Sequence, residues 1–135
     1  MKKPHFIGLG VQKGATSWIY SNLVEHPQVY IATKETHFFS TDHKYKLGTS
    51  WYQEQFKRCD KSKICGEIST SYFSNLEVID RILKYGEETK LFVCLRNPVT
   101  RIISSIKNDL KSDSDKNKKQ PLELFVENEE YYLSK

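Results

Sequence analysis

Residues 5–17 read HFIGLGVQKGATS, and this stretch decides the fold. His5 to Val11 is a short apolar run ending in glycines, the pattern of a buried strand. The loop Gln12–Ala15 follows. Thr16 to Glu25 then places Trp18, Ile19, Leu23 and Val24 on a helical face, and His26-Pro27 stops the helix. A strand, a glycine-bearing loop and a helix in direct succession present backbone N–H groups at the helix start, where the helix dipole also attracts anions. Gly14 lets the backbone come close to such a ligand. Lys13 adds a full positive charge, and Thr16 and Ser17 add hydroxyl donors. The Walker pattern, GxxxxGK followed by Ser or Thr, fails because the lysine precedes the glycine. A tight turn with a cap and no ligand fits the same residues.

The rest of the chain repeats this alternation. Lys90 to Leu95 (KLFVCL) reads as a buried strand. Asn97 to Lys111 reads as a helix capped by Asn97, with Pro98 at its first position and Val99, Ile102, Ile103, Ile106 and Leu110 at helical spacing. Between the two loops lie a short strand at Val29–Ala32 and an aromatic-faced helix at Gly48–Lys57. A strand at Lys63–Ser69, weakened by Gly66, comes next. A helix follows at Asn75–Tyr85, with Leu76, Ile79, Ile82 and Leu83 on one face. Lys34–Phe39 has no readable pattern. Residues 111–120 form a polar, charged loop, and Pro121–Leu133 reads as one more helix. Strands alternating with helices predict an α/β fold, a central parallel sheet with helices on both faces. In such sheets ligands bind at the carboxyl ends of the strands.

Composition sets the bounds. The chain of 135 residues is 38% hydrophobic and 28% charged, ordinary for one globular domain. A net charge of +4 is too small to argue for nucleic acid, and suits either an anionic ligand or a mildly basic surface. No apolar run is long enough to span a membrane, and no signal-peptide cleavage site follows the basic start. The three cysteines are odd in number and lack metal-type spacing. Cys65 and Cys94 lie in apolar segments, where free thiols act as small hydrophobes. A reducing, cytoplasmic setting is the expectation.

A second polar constellation ends the KLFVCL strand. Arg96 closes it, and Ser104 stands about two helical turns beyond the Asn97 cap, opposite the apolar stripe. Both side chains are placed to meet one ligand over that polar edge. A strand-ending arginine and a solvated serine fit equally well.

Taken together, these motifs resemble the PAPS-dependent sulfotransferases, which use 3′-phosphoadenosine 5′-phosphosulfate (PAPS) as donor. The closest likeness is to the heparan sulfate branch. Lys13-Gly14-Ala15-Thr16-Ser17 resembles the loop that binds the 5′-phosphosulfate. Leu95–Ser104 (LRNPVTRIIS) resembles the 3′-phosphate motif, in which the arginine and the distant serine hold that phosphate. Lys34–Phe39 (KETHFF) resembles K-E-x-H-F-F, whose glutamate is taken as the base, and Gly48–Tyr52 resembles G-x-x-W-Y. Gly66–Phe73 resembles a G-E-K segment but carries Ile68 at the lysine position.

The resemblance implies sulfuryl transfer from PAPS to a hydroxyl or amine, expected on a carbohydrate, with no metal and no nucleic acid. Cofactor binding falls to Lys13, Gly14, Ala15, Thr16, Ser17, Arg96 and Ser104. Glu35 and Lys13 are the implied catalytic residues. His37 and Glu67 are candidate substrate contacts, although His37 fits equally as a residue that orients Glu35 or as a packed histidine, and Glu67 as a buried, paired glutamate or a surface carboxylate. Arg101 also matches a family position. The likeness runs from Phe6 to Leu110 and more weakly to Leu133. Family domains continue for about as much chain again, so residues 1–135 are expected to form a single sulfotransferase domain truncated on its C-terminal side. The alternatives are a P-loop nucleotide kinase or hydrolase and a non-catalytic nucleotide-binding fragment.

Overall fold

The computed structural model describes residues 2–112, 123 and 126–133. Its elements run β1 (Phe6–Gly8), α1 (Thr16–Glu25), β2 (Val29–Ile31), α2 (Asp42–Tyr45), α3 (Gly48–Glu54), β3 (Ile64–Ile68), α4 (Leu76–Tyr85), β4 (Lys90–Phe92), α5 (Pro98–Ser112) and α6 (Glu129–Leu133). The four strands form one sheet in the order β2-β3-β1-β4, and all three pairings are parallel. The expected α/β architecture with a parallel sheet is therefore present. Residues 113–120 of the polar loop lie outside the described residues, as does part of the helix expected at 121–133.

Gly66 resolves as a packing device and not as a break in β3. It pairs in register with Phe6, and a Cβ at position 66 would collide with the Phe6 ring. Gly8 pairs in register with Phe92 in the same way, leaving room for that ring. An aromatic side chain laid over a cross-strand glycine covers backbone that a bare glycine would expose.

The core lies where aromatic side chains from the irregular segment meet the sheet. Phe38 and Phe39 are both fully buried. Phe38 stacks on Tyr52 with ring centroids 4.7 Å apart, and Phe39 meets Tyr52 edge-on at 5.0 Å. Tyr72, Tyr85 and Phe56 extend the cluster. Edge-on and offset stacking add about 0.5–1.5 kcal/mol per pair beyond burial. The segment 34–39 thus has no strand or helix period because it is an anchored loop. Phe38, Phe39 and Thr36 go inward, and Lys34, Glu35 and His37 stay partly exposed.

Four expectations about faces need correction. The KLFVCL strand is not buried. Within the described residues β4 is the sheet edge, with Leu91 38% and Leu95 72% exposed. In α4 the buried face is Val78 and Ile82, while Leu76 is 85% exposed. Of the expected face, Ile82 is buried and Ile79 packs against the aromatic core, while Leu76 and Leu83 are exposed and Val78 and Tyr85 complete the inward row. In α1 only Thr16 is buried, and Trp18 and Val24 face outward. The stripe of α5 also divides. Ile102, Ile106 and Leu110 pack with Tyr132 of α6, while Val99 and Ile103 are exposed.

Candidate functional site

Hydrogen bonds beyond the strand ends bring the motifs together. The β1–β4 ladder continues past both strands. Leu9 N–H donates to Phe92 O, Cys94 N–H to Gly10 O, and Val11 N–H to Cys94 O. The loop at 12–15 is thereby held beside Arg96. On the other side, Glu35 N–H donates to Ile68 O at 3.1 Å, which ties the 34–39 loop to the end of β3. All three motifs meet at the carboxyl end of the sheet, where parallel α/β sheets take ligands.

Two adjoining cavities lie there. One, of about 380 Å³, is lined by Lys13, Ala15, Thr16 and Ser17 from the first loop, Lys34 and Glu35 from the second, and Arg96 and Ser104 from the third, with Gln12 and Thr70. The other, of about 470 Å³, shares Lys13, Arg96 and Ser104 and continues along α5 past Thr100, Ile103, Lys107, Asn108 and Lys111. Among the described residues the first lining carries three cations and one carboxylate, and the second carries four cations and no carboxylate. Such walls favour an extended anion.

Local geometry suits this. The cap residue of α1 is Ala15, which makes no side-chain cap bond, and the first turn holds no acidic residue. The start of the helix is therefore not neutralised by its own side chains. Gly14 stands behind the cavity. A Cβ there would strike the carbonyl oxygen of Cys94, so only glycine lets this loop lie against the strand end. Arg96 donates through Nε to Thr100 Oγ1 at 3.2 Å and through Nη1 to Lys13 O at 3.4 Å, which places the guanidinium across both loops. Asn97 accepts from the N–H groups of Val99 and Thr100, the expected cap.

Glu35 and His37 form a pair at the rim. Their Oε2 and Nε2 are 3.1 Å apart, and His37 Nδ1 is 2.8 Å from Ser71 Oγ. His37 thus fixes one oxygen of the carboxylate while Glu35 still lines the cavity. Lys34 bonds to Ser17 Oγ at 2.7 Å and lies 4.0 Å from Glu35 Oε1. Lys13, Ala15, Glu35 and His37 all have φ between 52° and 67°. Such conformations cost about 1–3 kcal/mol each in non-glycine residues and persist only where the surroundings over-determine them.

Glu67, the other candidate contact, is 0% exposed and lines neither cavity, so the structure fits the buried, paired glutamate. Its carboxylate accepts from Thr36, Tyr52, Ser69 and Tyr72. Ile68, at the position of the family lysine, is likewise fully buried. Sequence reasoning assigned no role to Lys34, Thr70, Thr100, Lys107, Asn108 or Lys111. The last three were legible, since 104, 107, 108 and 111 share one helical face.

Burial, and next the Glu67 charge, push the phenols of Tyr52 and Tyr72 above their usual value. Above about pH 10 the unfolded chain therefore loses these protons before the folded one does. Stability should be fully present below that pH and fall by about 1.4 kcal/mol per pH unit for each tyrosine above it. Urea midpoints at pH 9 and pH 11 measure this, and Tyr72→Phe should flatten the alkaline fall.

No family model matches the chain. Mouse "Heparan sulfate glucosamine 3-O-sulfotransferase 5" is 37% identical over 115 residues, 85% of this chain and 33% of that protein. Mouse "Heparan sulfate glucosamine 3-O-sulfotransferase 3B1" is 38% identical over 112 residues, 83% of this chain and 28% of that protein. The crystal structure of a sulfotransferase from Alicyclobacillus acidocaldarius superposes with a TM-score of 0.78 at 25% identity, over 96% of this chain and 58% of that one. The chain spans about a third of the length of the curated relatives it matches. These relatives overturn the expectation of a cytoplasmic setting, because heparan sulfate 3-O-sulfotransferases are enzymes of the Golgi lumen. Unpaired buried thiols, the ground for that expectation, report packing and not compartment. Among the described residues, no helix is long and apolar enough to cross a membrane. Over 85% of its length the chain is homologous to heparan sulfate 3-O-sulfotransferases, and over 96% of its length it shares the fold of a solved sulfotransferase.

Proposed function

We propose that this chain carries the donor site and the catalytic base of a sulfotransferase that moves a sulfuryl group from PAPS to a carbohydrate hydroxyl or amine. The observation that carries the reading is the cavity where Lys13, Thr16, Ser17, Glu35, Arg96 and Ser104 meet. Arg96 and Ser104 take the 3′-phosphate, the feature that separates this donor from ATP. Arginine suits it, because a planar guanidinium meets phosphate at two points. The α1 amides, Thr16 and Ser17 take the 5′-phosphosulfate. Glu35 accepts the proton that the acceptor group loses as it attacks sulfur. Lys13 faces the negative charge that grows on the departing phosphate oxygen. His37 holds Glu35 in place. Position and charge stabilisation do most of the work in such an in-line transfer.

The test is transfer of labelled sulfate from PAPS to heparan-type glycans, measured with Arg96→Ala alongside the unmutated chain. Losing a charge-assisted contact of about 1.5–3 kcal/mol should raise the KM for PAPS roughly 10- to 100-fold. A KM unchanged by the substitution would remove Arg96 from the donor site.

A further inference from the structure

Glu67 is a fully buried acid to which the proposed reaction assigns no part. Its two oxygens divide their partners. Oε1 accepts from the core phenols of Tyr52 and Tyr72, at 2.8 and 2.9 Å. Oε2 accepts from Thr36 Oγ1 at 2.5 Å and Ser69 Oγ at 2.9 Å. Both partners of Oε2 lead to the rim of the cavity. Thr36 stands between Glu35 and His37, and Ser69 Oγ accepts the His37 N–H at 3.1 Å. Lys44 adds a bond to Thr36 O at 2.7 Å. The two residues flanking Thr36 have positive φ, a conformation that ordinary side chains leave unless something holds them.

We infer that Glu67 is a positioning residue for the Glu35–His37 pair. The inference rests on the role proposed for Glu35. A carboxylate is acceptor-only and takes all four hydroxyls in one orientation. An amide at position 67 offers one acceptor oxygen and one donor group, so hydroxyls on one side must turn round. The core side is braced by packed rings, whereas residues 35–37 are held by hydrogen bonds and gain a ring anchor only beyond them, at Phe38 and Phe39. The loop therefore loosens first.

The experiment measures amide hydrogen exchange and transfer kinetics on the whole chain for Glu67→Gln, with Thr36→Val and Ser69→Ala as variants that each remove one hydroxyl and spare the core. Exchange at the Glu35 and His37 amides should speed at least tenfold, with protection in α4 unchanged. The kcat should fall at least tenfold, with the KM for PAPS within twofold. Unchanged exchange at residues 35 and 37 in all three variants would overturn the inference. So would a uniform loss of protection through β3 and α4, which would make Glu67 a residue of general stability. So would local loosening with kcat unchanged in Ser69→Ala. Exchange is read without any acceptor, so a chain that loosens locally but never transfers sulfate supports the positioning role of Glu67 and counts against the proposed function instead.

Discussion

Glu35→Gln should lower the rate of sulfuryl transfer by roughly 10²- to 10⁴-fold, the usual worth of a general base. The substitution keeps shape and volume and leaves an oxygen for His37, so the loop should hold its course. Glutamine at position 35 adopts the same positive φ at no greater cost than glutamate does. Affinity for 3′-phosphoadenosine 5′-phosphate (PAP), the desulfated donor, should change by less than about twofold, because the proposed phosphate contacts lie on the first and third loops and not at Glu35. A rate retained within a few fold would pass the proton to another group. His37 would be next, since it lies 3.1 Å from the same carboxylate. Glu67 would not, since four hydroxyls enclose it.

Lys13→Ala should cost about 10²- to 10³-fold in kcat, the range seen when one group that stabilises developing charge is removed. PAP affinity should fall much less. The lysine would meet the full charge only as the bond to sulfur breaks, and interactions made mainly in the transition state appear in kcat. Equal losses in kcat and in PAP affinity would instead make Lys13 an ordinary ground-state contact. The backbone of residue 13 is itself part of the site, as its carbonyl accepts from Arg96. Circular dichroism and PAP binding of the variant therefore need to show that the loop is intact.

Much of this was legible in the sequence for a physical reason. Asn75 and Asn97 were readable caps, because a cap acts within three residues of itself. Both strand–loop–helix turns proposed to bind phosphate were readable because strand, loop and helix follow one another without interruption. What failed was burial. An apolar run states that a strand can be buried, and β4 is an edge within the described residues despite KLFVCL. In α4 two apolar rows compete, and only the position of the aromatic cluster decides between Leu76 and Val78. The Glu67 hub was hidden for another reason. Its donors stand at 36, 52, 69 and 72, and nothing local makes them converge before the sheet forms. The 34–39 loop shows both kinds. Its motif was readable, but the inward turn of Phe38 and Phe39 depends on rings contributed by α3 and α4.

If the proposed function holds, the basic cavity at the end of the sheet binds a nucleotide by its 3′-phosphate. Calorimetric titration of the unmutated chain with PAP and with 5′-AMP tests it most directly, since the two ligands differ only in that phosphate. PAP should bind at least tenfold more tightly, with Arg96 and Ser104 the source of the difference. Equal affinity for the two nucleotides, or no binding of PAP, would contradict it.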